Sequence, residues 1–125
     1  MTKKKRLKVY KKYGGRCAYC GRKIKFEKMQ VDHFIAKKRS GYAVKFGLKS
    51  VNDFQNLMPS CRRCNLYKKA LLPERFRTKM ETLHRRLKKQ FTVKIARDYG
   101  IIKFQKWDGL FYFERVRKND PKKML

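Results

Sequence analysis

Two short stretches, Cys17-Ala18-Tyr19-Cys20-Gly21 and Cys61-Arg62-Arg63-Cys64-Asn65, decide how this chain of 125 residues folds. Each contains one C-x-x-C pair, and together they hold all 4 cysteines of the chain. A tight turn lets both thiolates of a pair reach one metal ion, and two pairs complete a tetrahedral site of sulfur ligands. The spacing therefore predicts one structural zinc ion, held by Cys17, Cys20, Cys61 and Cys64.

Two other uses of these cysteines fit the sequence less well. Disulfides need an oxidising compartment, and no apolar signal segment follows the basic start of the chain, Met1–Arg6. A thioredoxin-like redox site uses a single C-x-x-C pair, whereas this chain has two. Zinc is also a common staple for domains whose hydrophobic core is small. Zinc is therefore the preferred interpretation.

The charge of the chain indicates its class of partner. Lys and Arg number 37 and Asp and Glu number 9, so the net charge is 37 − 9 = +28. Solubility alone needs a net charge of only about 2–8. Nucleic acid is the first candidate partner, because neutralising phosphates releases condensed counterions. An anionic membrane surface is the second. A membrane-spanning protein is not expected, since no apolar run approaches the roughly 20 residues that a span needs.

The segment between the two cysteine pairs carries a further pattern. In Met29–Ile35 apolar and polar residues alternate, which predicts a short strand. Asp32 and His33 then point to opposite faces, so a bend or bulge is needed to bring them to one site. The residues after Cys64 predict a helix that ends before Pro73.

These elements occur in an order that resembles a known family. C-x-x-C-Gly, then Asp32-His33, then Asn56-Leu57, then C-x-x-C-Asn with Lys68 three residues on, is similar to the HNH endonucleases with a zinc-stapled ββα-metal core. The resemblance covers residue 13 to about residue 69. It implies an α+β fold and a metal-dependent endonuclease that hydrolyses DNA phosphodiester bonds.

The resemblance also implies a role for each matching residue. His33 would be the general base that activates water, Asp32 and Asn65 would hold Mg²⁺ or Mn²⁺, and Asn56 would fix a loop. The residue types agree with these roles. Asp and Asn oxygens are hard ligands, and histidine titrates near neutral pH. Two departures stand out: Asn65 replaces a histidine of the family, and Ala36 replaces a common proline.

The partner expected from charge and resemblance is double-stranded DNA, bound by a monomer or homodimer. The small size of the chain is typical of a bacterial or phage-encoded protein, for which we expect a cytoplasmic location. Phosphate contacts are predicted for the basic residues nearest the site: Lys37, Lys38, Arg39, Arg62, Arg63, Lys68 and Lys69. A zinc-containing RNA or DNA binder without catalysis, or an antitermination adaptor, would share the charge and the cysteines. Only Asp32, His33 and Asn65 favour the nuclease over these alternatives.

The rest of the chain is predicted to extend this core. We expect a single α+β domain over residues 1–125, with its core at about 13–72 and an extension at 73–125. A basic helix is predicted over 3–13 and an amphipathic helix over 74–91. A short helix should run from a Thr92 cap to Tyr99, followed by a β-hairpin over 101–116 around Asp108-Gly109. The last residues, 118–125, are expected to fray.

Overall fold

The structure, a computed structural model, describes residues 1–119, so most of the expected frayed end lies outside the described residues. Contacts group the chain into two units. The first contains residues 1–73 and 110–119, and the second contains residues 74–109. The first unit thus holds the whole predicted core and also takes in part of the predicted extension; the single-domain boundaries stay a prediction. None of the described helices has the length and apolarity that crossing a membrane requires.

A two-stranded antiparallel sheet forms the centre of the first unit. Strand β1 is Gln30–His33 and strand β2 is Leu57–Ser60. The register places Asp32 opposite Met58 and His33 opposite Leu57. Every residue of β2 is buried, whereas in β1 Gln30 is exposed, Asp32 is buried, and Val31 and His33 are half-buried. The sheet confirms the strand predicted from the alternating pattern.

Helix α2, Arg62–Lys68, follows β2 directly and completes a ββα arrangement. Cys61 is its N-cap, and the Cys61 Sγ accepts a hydrogen bond from the Cys64 N–H at 3.4 Å. The helix ends at Lys68, and the next residue, Lys69, has a positive φ of 54°. Together with the sheet, α2 confirms the predicted mixed α+β fold.

The predicted basic helix is present as α1, Lys3–Lys11. The Thr2 hydroxyl caps it by accepting the Lys5 N–H at 3.1 Å. Its only buried residue, Val9, packs in one cluster with Met29 and Leu57, which fastens α1 to the sheet.

The close approach that follows α1 requires glycine. Gly15 has a φ of 78°, and a Cβ there would lie 2.9 Å from the Tyr10 hydroxyl oxygen.

The amphipathic helix predicted over 74–91 is interrupted. Helix α3, Pro73–Glu81, and helix α4, Leu83–Lys88, are separated at Thr82. The Thr82 hydroxyl donates to the Lys79 carbonyl at 3.2 Å, and such local bonds compete with the regular helix.

The next helix, α5, is Phe91–Asp98, so the predicted Thr92 cap is wrong. Thr92 lies inside the helix and Gln90 occupies the cap position. Gly100, with a φ of 71°, follows the end of α5 as predicted.

The predicted β-hairpin over 101–116 is also wrong. The structure has no strand in residues 101–111, and residues Tyr112–Asn119 form helix α6. Gly109 does have the positive φ, 82°, that a tight turn requires, but no paired strands flank it. The Glu114 carboxylate accepts the Phe111 N–H at 2.9 Å, which begins a helix at the position where the second strand was expected.

Candidate active site and metal centre

The four cysteine sulfurs converge on one point of the first unit. All four lie within 4.8 Å of one another, and the Sγ atoms of Cys20 and Cys61 are 3.9 Å apart. Four sulfurs placed about 2.3 Å from a zinc ion would be separated by roughly 3.8 Å. No disulfide joins any of them. The cluster therefore fits one tetrahedral metal ion, as the spacing predicted, and this prediction of a metal-binding cluster is confirmed.

Local backbone geometry shapes the first C-x-x-C turn, or knuckle. The Gly21 N–H donates to the Cys17 carbonyl at 2.9 Å, and Gly21 has a φ of 79°. A Cβ at Gly21 would lie 2.9 Å from the Tyr112 ring, so glycine is required for the turn and for the approach of α6. Hydrogen bonds from the Cys20 and Cys64 thiols lower the pKa of Cys17. Cys17 is thus favoured to ionise as a metal ligand.

Asp32 contacts Tyr19, which lies between Cys17 and Cys20 of this cluster, and is almost fully buried, with 6% of its surface exposed. Its Oδ2 accepts a hydrogen bond from the Tyr19 hydroxyl at 2.5 Å. The same oxygen forms an ion pair with the Lys68 Nζ at 3.1 Å. Burial raises the pKa of Asp32, while the Lys68 charge and the Tyr19 hydrogen bond oppose that shift. The carboxylate is therefore held in place by groups from the first knuckle and from α2.

His33 ends β1 and is partly exposed. Its Nε2 lies 3.4 Å from the Asn52 Oδ1, and its carbonyl accepts a hydrogen bond from the Lys68 Nζ at 3.3 Å. Burial is the main cause that lowers the pKa of His33, so the ring is neutral at neutral pH. The strand pairs residue by residue without a bulge through Asp32 and His33. The bend expected from the sequence is therefore not present within β1.

Asn56 is fully buried and ties two loops together. Its Oδ1 accepts the Ile35 N–H at 2.8 Å, and its Nδ2 donates to the carbonyls of Ile35 at 3.0 Å and Val51 at 2.7 Å. All three of these hydrogen bonds join the Asn56 amide to main-chain groups. Such contacts fix the chain after β1 against the chain before β2.

Asn65 is half-buried on α2, three residues before Lys68. Residues three apart share one face of a helix. Because Lys68 reaches Asp32 and the His33 carbonyl, that face of α2 is directed at the end of β1. Asn65 is thus placed on the helix face that meets the Asp32-His33 pair.

Comparison with known families gives a match that covers the part of the chain that contains these residues. Residues 17–70 match the family model of the HNH endonucleases. The resemblance predicted from the sequence is confirmed for this segment, which we call the HNH segment. It spans the four cysteines, Asp32, His33 and Asn65. Neither the curated proteins nor the solved structures contain a match to the chain.

The basic residues of the HNH segment differ from one another in exposure. Lys68 was predicted to contact phosphate, but its side chain is 0% exposed and its ammonium is paired with Asp32. Arg39 is partly buried and its Nε donates to the Ala70 carbonyl at 2.6 Å. The remaining predicted phosphate contacts are exposed: Lys37, Lys38, Arg62, Arg63 and Lys69.

A basic groove lies beside the cysteine cluster, with a volume of about 280 Å³. It is lined by Ile24, Cys61 and six cations: Arg22, Lys23, Lys25, Lys28, Arg62 and Arg63. We call it the knuckle groove. Phosphate contacts were predicted for the two arginines on α2, Arg62 and Arg63, but not for the other four cations. The charge run Arg22–Lys28 was the signal that could have revealed them.

Proposed function

We propose that this protein is a metal-dependent endonuclease that hydrolyses phosphodiester bonds in DNA. The observation that carries the proposal is the contact of Lys68 with the Asp32 carboxylate and the His33 carbonyl, which brings α2, the helix that bears Asn65, against the end of β1. This arrangement lies in a segment that matches a family of nucleases. If Asp32, His33 and Asn65 had only a structural role, this combination of a base and two oxygen ligands would not be needed.

His33 is the proposed general base. A neutral imidazole can take a proton from a water molecule that attacks phosphorus. The Asn52 Oδ1 beside Nε2 is an acceptor, which favours the tautomer with its proton on Nε2. The Nδ1 atom is then left to accept the proton from water.

Asp32 and Asn65 are the proposed ligands of a catalytic Mg²⁺ or Mn²⁺. Carboxylate and amide oxygens are the donors that these hard cations prefer, so the residue types fit. The ion would stabilise the charge that develops on the phosphate and on the leaving 3′ oxygen. The family resemblance implies products with a 5′-phosphate and a 3′-hydroxyl.

Zinc has a separate, structural role in this proposal. Four cysteine thiolates complete a tetrahedral shell and leave no position for water or substrate. The staple therefore holds the ββα arrangement, and the exposed cations of the HNH segment and the knuckle groove bind DNA phosphates. We propose double-stranded DNA as the substrate of a cytoplasmic monomer or homodimer.

The decisive experiment is a nicking assay on supercoiled plasmid. It compares the wild type, His33→Ala and the matched control His84→Ala, each with Mg²⁺, Mn²⁺ or EDTA. His84 lies outside the HNH segment, and its ring contacts Phe104 edge-on at 5.4 Å. We expect divalent-dependent nicking that is lost in His33→Ala and retained in His84→Ala, with equal zinc content in all three proteins. Nicking by zinc-loaded His33→Ala would contradict the proposed base.

One observation favours a second candidate, a non-catalytic zinc-containing binder of RNA or DNA. The Lys68 ammonium already neutralises Asp32 at 3.1 Å, as a purely structural ion pair would. This candidate predicts tight, salt-sensitive binding to both RNA and DNA, with no nicking under any metal. The same plasmid assay, run beside a binding titration, separates the two functions.

A further inference from the structure

Tyr19 links the first knuckle to the proposed catalytic carboxylate. It lies between Cys17 and Cys20, is 4% exposed, and donates its hydroxyl hydrogen to the Asp32 Oδ2 at 2.5 Å. The Lys68 ammonium binds the same oxygen. Both contacts therefore use Oδ2, and Oδ1 is the oxygen that a cation would meet. The orientation of the carboxylate depends on where the Tyr19 hydroxyl is held.

The Tyr19 ring is held in turn by residues far outside the HNH segment. The rings of Phe111 and Phe113 contact it edge-on, with centroid distances of 5.7 Å and 6.3 Å. Phe113 also contacts the ring of Phe34, the residue after His33, at 5.5 Å. Edge-to-face contacts of this kind restrict ring orientation as well as burying area.

The backbone of the same segment is bonded to the knuckle. The Tyr112 N–H donates to the Tyr19 carbonyl at 3.0 Å, and the Phe113 N–H donates to the Ala18 carbonyl at 2.8 Å. These two donors belong to the first turn of α6, whose N–H groups have no partner within the helix. Within residues 110–119, the three residues Phe111–Phe113 thus contact Tyr19 through main chain or side chain.

We propose that residues 110–119 and Tyr19 form a positioning element for Asp32. The HNH segment needs this element to hold the Asp32 carboxylate in the orientation that binds the catalytic cation. The inference rests on the proposed function. Groups that hydrogen-bond a metal-ligating carboxylate set its orientation, and their loss commonly weakens metal affinity by about 10- to 100-fold. Tyr19 and Phe113 are positioning residues, because they act through Asp32.

The first test compares Tyr19→Phe with the matched control Tyr10→Phe in the full-length, zinc-loaded protein. Each change removes one hydroxyl and keeps the ring; the Tyr10 hydroxyl donates to the Ile24 carbonyl at 2.7 Å. The probe is Mn²⁺ alone, with the free ion followed by electron paramagnetic resonance in the absence of DNA. We expect Tyr19→Phe to weaken Mn²⁺ binding about tenfold, and Tyr10→Phe to leave it unchanged.

The second test asks whether the C-terminal segment acts through Tyr19. Phe113→Leu should weaken Mn²⁺ binding several-fold in the wild-type background and have little further effect in Tyr19→Phe. Such a lack of additivity is the signature of two residues acting through one contact. A merely structural role for Phe113 would give the same loss in both backgrounds. Phe111→Leu replaces Phe113→Leu if the latter fails to retain zinc.

The outcomes separate this inference from the proposed function. A wild type that neither binds Mn²⁺ nor nicks plasmid overturns both. A wild type that binds Mn²⁺ and nicks, with Tyr19→Phe equal to Tyr10→Phe, overturns only the positioning role of Tyr19. Additive effects of Tyr19→Phe and Phe113→Leu overturn the role of residues 110–119. The expected pattern is a tenfold loss with equal zinc content and a non-additive pair.

Discussion

At the scale of single residues, Lys68 is the group whose burial has the largest consequence. Its ammonium is fully buried between the Asp32 carboxylate and the His33 carbonyl. A buried ion pair contributes little net stability, but removal of one partner leaves the other charge uncompensated. Lys68 therefore also keeps β1 and α2 together at the proposed active site.

The first prediction follows from that pairing. Lys68→Met should lower the free energy of unfolding by about 3 kcal/mol, because Asp32 would stay buried without its counter-charge. The adjacent, exposed Lys69 supplies the control, and Lys69→Met should change stability by no more than about 0.5 kcal/mol. Urea unfolding followed by circular dichroism measures both. Equal stability of the two variants would show that Asp32 does not depend on Lys68.

The second prediction concerns His33 and pH. Burial lowers its pKa below the ordinary value of 6.5. Only the neutral ring accepts a proton, so kcat/KM should rise with pH through this lowered pKa and then level off. The measurement is a pH–rate profile of plasmid nicking, with DNA affinity followed over the same range. His84→Ala should retain the profile; a midpoint above 6.5 would argue against His33 as the base.

At the scale of elements, the two knuckles connect all parts of the first unit. Cys61 follows β2 and caps α2, while Ala18 and Tyr19 of the first knuckle accept hydrogen bonds from α6. The Ala18 N–H also donates to the Pro59 carbonyl of β2 at 2.8 Å. The metal cluster therefore joins segments that are far apart in sequence.

The third prediction is that zinc and this arrangement are lost together. Cys61→Ser should bind zinc weakly and lose helix and sheet signals, because metal binding contributes folding energy directly in small zinc domains. Zinc content and circular dichroism are measured before and after chelation. Added zinc should restore the chelated wild type but not Cys61→Ser. If zinc-free Cys61→Ser had the spectra and unfolding midpoint of the wild type, the structural role of zinc would be ruled out.

Local signals explain which elements could be predicted. The strand β1 and the helices α1 and α2 were predictable because periodicity and caps lie within a few residues. The hairpin was not, although its alternating residues and Asp-Gly turn favour strands. In the structure, Tyr112 and Phe113 donate their N–H groups to the first knuckle, so tertiary bonds replace the expected strand pairing. One sequence gives no signal for such distant partners.

Some parts of the candidate site could likewise be predicted from the sequence, and others could not. The cysteine cluster was predictable from spacing and chemistry alone. Asp32, His33 and Asn65 required a family resemblance, since single polar residues carry little information. The contacts of Asp32 with Tyr19 and Lys68 span 13 and 36 positions and became visible only in the fold. Lys68 shows the limit most clearly, because a lysine in a basic sequence is ordinarily expected at the surface.

At the scale of the whole molecule, charge dominates. Even if each of the 9 acidic residues paired with one cation, 37 − 9 = 28 cations would have no carboxylate partner. Six cations line the knuckle groove together with Cys61, one of the four cysteines of the cluster. Four thiolates and one Zn²⁺ carry a charge of −4 + 2 = −2, which leaves about +4 in the groove. The zinc centre therefore cannot neutralise the groove, and phosphates are the anions that its size and charge suit.

The fourth prediction tests the knuckle groove as a phosphate contact. Arg22, Lys23 and Lys25 are changed to Gln, and the matched control changes the exposed Arg85, Lys89 and Lys94 to Gln. Both variants lose three charges, so self-repulsion and general attraction to DNA change equally. The slope of log K against log salt is negative, and each lost phosphate contact should reduce its magnitude by about 0.9. Fluorescence anisotropy titrations on one duplex, from low to moderate salt, measure both slopes.

We expect the magnitude of the slope to fall by about 2 to 3 in the groove variant and by clearly less in the control. Equal reductions would show that DNA binding depends on net charge and not on the knuckle groove.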